Sequence, residues 1–215
     1  SYPCIEKGGV IWTYMGPPAF KPEEPNFEWP NVPADQRYVS NRIQESNYLQ
    51  ALEGGIDSSY VTWHHGVNIN SDPLFKGSKG NKYNAGDLKP VFEVEPFDGG
   101  LLIAARRAAD NDKYYWRVTP WVLPWHTQIA PRADHPIGGH VWVPIDDHNC
   151  WTWSFNYHPK RALSKEERAA MEAGKGIHTV NIPGTFIPAA NKTNDYLMDR
   201  SAQRLGTTYS GVEGI

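Results

Sequence analysis

The pattern of apolar and polar positions predicts that the second half of the chain is a series of β-strands. Apolar or alternating runs cover residues 91–97, 101–107, 114–122, 127–130, 140–145 and 150–157, and an earlier run covers 10–15. Short turn-like segments separate these runs, which favours antiparallel hairpins. In 150–157 the aromatic residues occupy alternate positions, so one face of the predicted sheet covers an apolar layer.

A helix is predicted over residues 47–60, within the run 45–66. Asp57, Tyr60 and His64 stand at i, i+3 and i+7, so on an unbroken helix they share one face. Glu53 extends that polar stripe by one turn. A glycine pair at 54–55 costs a helix roughly 1 kcal/mol per residue relative to alanine. We therefore expect the pair to mark a close backbone approach or a bend.

Two further helices are predicted near the C-terminus. Ser164 and Glu167 have the spacing of a capping box, and the helix that they begin ends at Gly174. Residues 191–206 predict a helix of about three turns, capped at Thr193 or Asn194 and ended by a glycine. By contrast, residues 19–34 are rich in proline and have no period, which predicts a linker.

Composition describes an ordinary globular protein of 215 residues, 40% of them hydrophobic and 21% charged. The net charge of −3 gives no support to a nucleic-acid partner. Cys4 and Cys150 lie far apart in the sequence, so neither a disulfide framework nor a structural zinc site is expected. We expect the protein to occupy a reducing cytoplasm. No run approaches the roughly 18 apolar residues that span a membrane. The start without Met, inside a strand-like region, suggests a fragment of a longer protein.

The polar stripe is suited to binding a metal or moving protons. Iron(II) that activates oxygen is typically held by two histidines and one carboxylate, and the candidates are His64 and His65 with Asp57, Glu53 or the distant Asp195. Taken alone, an acid in the first turn of a helix, such as Asp195, favours the helix dipole and needs no metal. The sequence has no GxSxG, P-loop or GxGxxG motif, so hydrolase, nucleotidase and dinucleotide-binding functions lack support.

The run NYLQALEGGIDSSYVTWHHG resembles the mononuclear-iron helix of Rieske-type aromatic ring-hydroxylating oxygenase α subunits, in the phthalate dioxygenase-like group. The likeness continues, in order, through DPLFKG, YYWRVTPWVLP, HPIGGHVWVPIDD, NCWTWSFNYHP, RALSKEER and NDYLMDRSAQ. It implies an α+β, helix-grip (START/Bet v 1-like) catalytic domain, with an antiparallel sheet and helices packed on it. It also implies that residues 1–18 are the end of a Rieske domain, 19–44 a linker, and 45–215 the catalytic domain, truncated at its C-terminus.

The resemblance assigns roles to individual residues. The family pattern is Asp, two residues, His, four residues, His. Asp57 matches the acid that bridges the two metal centres, His65 matches the second histidine ligand, and Asp195, in an Asn-Asp-Tyr run, matches the carboxylate ligand. The first histidine ligand falls on Tyr60. Either this phenolate coordinates iron, or His64 one turn later substitutes for the missing histidine, or the chain binds iron poorly.

The same resemblance implies an oxygenase that uses O2 and reductase-supplied electrons to hydroxylate or O-demethylate a carboxylated aromatic compound. Its cofactors would be mononuclear Fe(II) and a [2Fe-2S] Rieske cluster. The cluster would lie upstream, since the chain has no C-x-H or C-x-x-H motif. The full protein would be a homotrimer. Arg106, Arg107 and Arg117 are candidates for binding the substrate carboxylate. The alternative from another class is a helix-grip module that binds an aromatic ligand without iron chemistry.

Overall fold

A seven-stranded antiparallel sheet forms the centre of the molecule. The structure is a computed structural model, which describes residues 2–65, 74, 76–132, 134–208 and 210–212. A separate hairpin consists of β1 (Cys4–Lys7) and β2 (Val10–Thr13). The main sheet contains β3 (Arg37–Gln44), β4 (Val91–Phe97), β5 (Gly100–Ala108), β6 (Tyr114–Val122), β7 (His126–Gln128), β8 (Ile137–Pro144) and β9 (Cys150–Tyr157). The strand order is β3-β9-β8-β7-β6-β5-β4, and every neighbouring pair is antiparallel.

In the residues that the structure describes, six short α-helices accompany the sheet. They are α1 (Glu28–Asn31), α2 (Tyr48–Ile56), α3 (Tyr60–His65), α4 (Asn81–Gly86), α5 (Lys165–Glu172) and α6 (Arg200–Arg204). α2 lies across β6, β7 and β8. In the described part of the chain, no helix is long and apolar enough to cross a membrane.

Two apolar clusters cover opposite faces of the sheet. On one face, Trp29 of α1 packs with Val141, Phe155 and Tyr157. On the other face, Leu52 of α2 packs against Trp142 and Cys150. Side chains alternate between the faces of a strand, so consecutive positions of β8 contribute to different clusters. The sheet is therefore covered on both sides in this region.

The strand prediction is largely confirmed, with two omissions. β4, β6 and β9 have the predicted bounds, while β7 and β8 begin one and three residues earlier than predicted. β1 was missed. β3 was also missed, because its alternate residues Ser40, Arg42 and Gln44 are polar and gave no apolar signal. Residues 37–44, which fall within the segment 19–44 predicted as a linker, pair with β9 along its full length.

The predicted unbroken helix over 47–60 is wrong. α2 ends at Ile56, and Asp57 adopts an extended backbone with φ −77° and ψ 102°. The glycine pair does not cause this break, since both glycines lie inside α2. A Cβ added to Gly55 would lie 3.2 Å from Cζ2 of Trp142, whereas one added to Gly54 would meet nothing within 4 Å. The close backbone approach expected of the pair is therefore confirmed at Gly55.

The C-terminal helix predictions have mixed outcomes. The capping box of Ser164 and Glu167 is present at the start of α5 and is confirmed. The single helix predicted over 191–206 is wrong: a short 3-10 helix, Lys192–Leu197, precedes the separate helix α6. The caps are Asn191 and Asp199 rather than Thr193 or Asn194. Left-handed backbone angles at 195–197 prevent a continuous helix.

Candidate active site

The junction between α2 and α3 turns the chain sharply at 57–59. The Oδ1 atom of Asp57 accepts hydrogen bonds from the backbone N–H of Ser59 at 2.7 Å and from its hydroxyl at 2.5 Å. An aspartate that binds the backbone two residues on competes with helix formation, which explains the break. The half-buried carboxylate of Asp57 is thereby fixed next to the start of α3.

α3 brings an aromatic phenol and two imidazoles together. The ring centroid of Tyr60 lies 5.8 Å from that of His64 and 5.5 Å from that of His65. Burial raises the pKa of the Tyr60 phenol, and nearby Asp57 adds to the rise, while the positive charges of Arg117 and Arg132 oppose it. The site thus gathers Asp57, Tyr60, His64 and His65, whereas Glu53, another candidate, is exposed on α2.

Asp195, the carboxylate candidate distant in the sequence, lies exposed in the 3-10 helix Lys192–Leu197. Its two carboxylate oxygens each accept a hydrogen bond of 2.8 Å from Arg200, and this partner lowers the pKa of Asp195. Among the described residues, no three His, Cys, Asp or Glu side chains are grouped so as to hold a metal ion. The described donors therefore do not complete a set of two histidines and one carboxylate. The metal roles of His64, His65 and Asp195 stay predictions.

The three candidate arginines separate onto two faces of the sheet. Arg106 lies over the rings of Tyr114 and Trp116, with its guanidinium carbon 4.5 and 5.8 Å from their centroids. Arg107 and Arg117 point to the opposite face, towards the α2–α3 junction. Arg107 donates to the Ser58 carbonyl at 2.7 Å, and Arg117 donates to the Ser58 hydroxyl at 3.3 Å. Only these two can act in the candidate site.

A second buried polar layer, which was not predicted, lies along β9. Thr152, Ser154 and Asn156 alternate with the aromatic residues of β9, and they are 0, 0 and 5% exposed. Arg42 on β3 donates to the Ser154 hydroxyl at 3.1 Å. The imidazole of His178 lies between the Ser40 hydroxyl at 2.7 Å and the Asn156 side-chain oxygen at 2.9 Å. Strict alternation of Thr, Ser and Asn with aromatics was the available signal, because it differs from the charged pattern of a solvated face.

This layer predicts a loss of stability in mild acid. Burial, reinforced by Arg42, lowers the pKa of His178 to about 4, so the folded protein keeps this imidazole neutral while the unfolded chain binds a proton below about pH 6.5. The free energy of unfolding should therefore fall as the pH drops from about 6.5 to 4. His178→Gln should reduce the fall between pH 7 and 5 by about 2 kcal/mol, measured by urea unfolding. His148→Gln, at an exposed turn, is the control; an equal reduction there would contradict the assignment.

Comparisons with known proteins show a family for the chain and similarity to curated oxygenase subunits. Residues 13–215 match the family model described as LigXa C-terminal domain like. The whole chain is 30% identical to 52% of the 3-chlorobenzoate-3,4-dioxygenase oxygenase subunit of Comamonas testosteroni. It is 27% identical to 50% of the phthalate 4,5-dioxygenase oxygenase subunit of Pseudomonas putida. The chain thus spans about half the length of these curated relatives.

A solved structure supports the fold. The crystal structure of dicamba monooxygenase bound to 3,6-dichlorosalicylic acid matches 96% of this chain and 71% of its own, with a TM-score of 0.52 and 16% identity. At that identity the match concerns the fold alone. Together with the antiparallel sheet and its packed helices, it confirms the predicted α+β fold of the helix-grip type.

Proposed function

Because the chain belongs to the LigXa C-terminal domain-like family, we propose that it is the catalytic part of a Rieske-type non-haem iron oxygenase. The whole protein would use O2 and reductase-supplied electrons to hydroxylate or O-demethylate an aromatic acid. The names of the similar oxygenase subunits, which act on 3-chlorobenzoate and phthalate, support this class of substrate.

The observation that carries the proposal is the α2–α3 junction. In the sequence, Asp57, Tyr60 and His65 have the order and spacing of the family pattern, and the rings of His64 and His65 lie beside that of Tyr60. Ser59 fixes the Asp57 carboxylate through two hydrogen bonds, which suits a residue that must hold a constant orientation between two neighbouring groups. When bound, iron would supply oxygen activation, and His64 and His65 are the proposed nitrogen ligands.

The remaining parts of the reaction belong to the longer protein. Electrons would come from a [2Fe-2S] Rieske cluster and, before it, from a reductase component. The β1–β2 hairpin would be the end of the Rieske domain, and the subunits would form a homotrimer. Asp195 is the proposed carboxylate ligand by resemblance, but it would first have to leave its ion pair with Arg200.

The test is substrate-dependent O2 uptake by the full-length polypeptide that contains this chain, supplied with a reductase. Uptake and a hydroxylated or demethylated product are expected with members of a panel of benzoates, phthalates and methoxybenzoates. Asp57→Asn, which keeps the shape but removes the charge, should lower the rate at least tenfold. If aromatic acids bind but neither wild type nor Tyr60→His consumes O2, the chain is instead a ligand-binding module.

A further inference from the structure

A cavity of about 280 Å³ lies on the face of the sheet opposite to α2. The β1–β2 hairpin, residues 21–27, and β7 with β8 each contribute walls to it. On this face His126 of β7 pairs with Val141 of β8. The next positions, Thr127 and Trp142, point to the other face, where Trp142 contacts the backbone of α2. The sheet therefore separates this cavity from α2.

The interior of the cavity is apolar and aromatic. Ile5 and Trp12 pair across the hairpin, share one of its faces and line the cavity. Phe27 lines it as well, and its ring stacks on that of His126, with centroids 4.0 Å apart and planes 3° from parallel. Trp125 adds a further indole. Flat aromatic walls of this kind favour contact with another aromatic ring.

The interior also carries no charge. The indole N–H of Trp29 donates to Nε2 of His126 at 3.3 Å, so this imidazole is in its neutral form. Burial lowers the pKa of His126 to about 4, which keeps it neutral at pH 7. The charged residues that line the cavity, Lys21, Glu23 and Glu24, are all exposed, so they lie at its opening.

This distribution of charge disfavours an anionic ligand. A carboxylate inside the cavity would lose its hydration without gaining a charged partner. At the opening, two acids outnumber one lysine, so the local charge also repels an anion. An apolar cavity of roughly 150 Å³ holds a benzene molecule, and the larger volume here has room for two fused rings.

We propose that this cavity is a second binding site, which takes an uncharged aromatic molecule of one or two rings. The inference goes beyond the proposed function, whose substrates are aromatic acids at the α2–α3 junction. The walls of the cavity come from the hairpin, residues 21–27 and the sheet. A bound ring would contact all three parts and stabilise their packing.

The test compares indole with indole-3-carboxylate, which share a ring system and differ in charge. Their affinities for the full-length polypeptide that contains this chain are measured by titration calorimetry, without reductase, so that neither compound is turned over. Indole should bind at least tenfold more tightly than the acid. Absence of indole binding would overturn the proposal, and so would binding of the acid as tight as that of indole.

Two variants of the hairpin locate the bound indole. Ile5→Trp places a larger side chain in the cavity and should weaken indole binding at least tenfold. Ile11→Trp is the matched control, because Ile11 lies on the other face of the hairpin and is 72% exposed; its affinity for indole should equal that of the wild type. Unchanged affinity in Ile5→Trp would mean that indole binds elsewhere and would refute the site. Ile5→Phe, which adds less volume, replaces Ile5→Trp if the latter does not fold.

Thermal unfolding gives an independent measurement. Indole should raise the melting temperature of the wild type, by an amount that grows with its concentration, because it binds the folded state. The rise should be retained in Ile11→Trp and lost in Ile5→Trp. An equal rise in all three proteins would contradict binding in this cavity. Because the cavity and α2 lie on opposite faces of the sheet, failure of the O2-uptake assay would leave this proposal standing.

Discussion

Tyr60→His is expected to raise the iron content of the protein. In the family pattern this position carries the first histidine ligand, and here a phenol stands beside His64 and His65 at 5.8 and 5.5 Å between ring centroids. A phenol must lose its proton to bind a metal, whereas a neutral imidazole donates directly. Removing a residue that only supports a metal ligand costs about 10- to 100-fold in affinity, so restoring a ligand should improve Fe(II) affinity by about tenfold or more.

The measurement is metal analysis after anaerobic loading with Fe(II), followed by removal of unbound iron. Tyr60→Phe is the matched control, because it keeps the ring but offers no ligand atom, and its iron content should stay as low as that of the wild type. His64→Ala then asks whether that histidine substitutes for the missing one: if it does, the little iron in the wild type should be lost. Full and equal iron occupancy in the wild type and in Tyr60→His would contradict the prediction.

Trp29→Ala should cause the largest loss of stability. The indole of Trp29 is 2% exposed and stacks on Phe155, with ring centroids 4.7 Å apart and planes 10° from parallel. Its Nε1–H donates to Nε2 of His126 at 3.3 Å. Truncating a buried tryptophan to alanine typically costs 3–5 kcal/mol, and loss of the donor leaves His126 without that partner. The melting temperature should fall by roughly 10 °C.

Trp63→Ala provides the comparison, since this tryptophan is 66% exposed. Thermal unfolding of the two variants, followed by circular dichroism, should show a large downward shift for Trp29→Ala and almost none for Trp63→Ala. Similar shifts in both variants would mean that α1 does not anchor the sheet in the way its contacts indicate.

Local patterns were sufficient for most of the sheet but not for β3, one of its two edge strands. β4, β6 and β9 are apolar or alternate clearly, so their bounds follow from the sequence. β3 is specified by pairing with β9 over eight positions, a long-range property that its own polar residues do not reveal. The prediction of a helix over 47–60 failed for the opposite reason. A local hydrogen bond from the Ser59 backbone N–H to Asp57 favours a turn, although the apolar and polar residues have helical spacing.

In the candidate site, too, some features follow from the local sequence and others depend on tertiary contacts. The spacing of Asp57, Tyr60, His64 and His65 along the chain could be read directly, because these residues are close in sequence. The sequence alone could not show which of the three candidate arginines faces these residues. Adjacent strand positions point to opposite faces of the sheet, and the register is set by tertiary pairing. The hydrogen bonds from the Thr62 hydroxyl to the Asn84 carbonyl and from Arg107 to Thr62 also gave no signal, because they join α3, α4 and β5 only in the folded protein.

The two buried faces of β9 restrict how this domain can change during evolution. A shift of one residue in its register would carry Phe155 and Tyr157 into the layer of Arg42 and His178, and would carry Thr152 and Ser154 into the apolar layer around Trp29. Each single substitution in β9 disturbs one contact, but an insertion or deletion within it exchanges both layers at once. Changes of length should therefore accumulate in the connecting segments, and the strands should diverge by substitution alone.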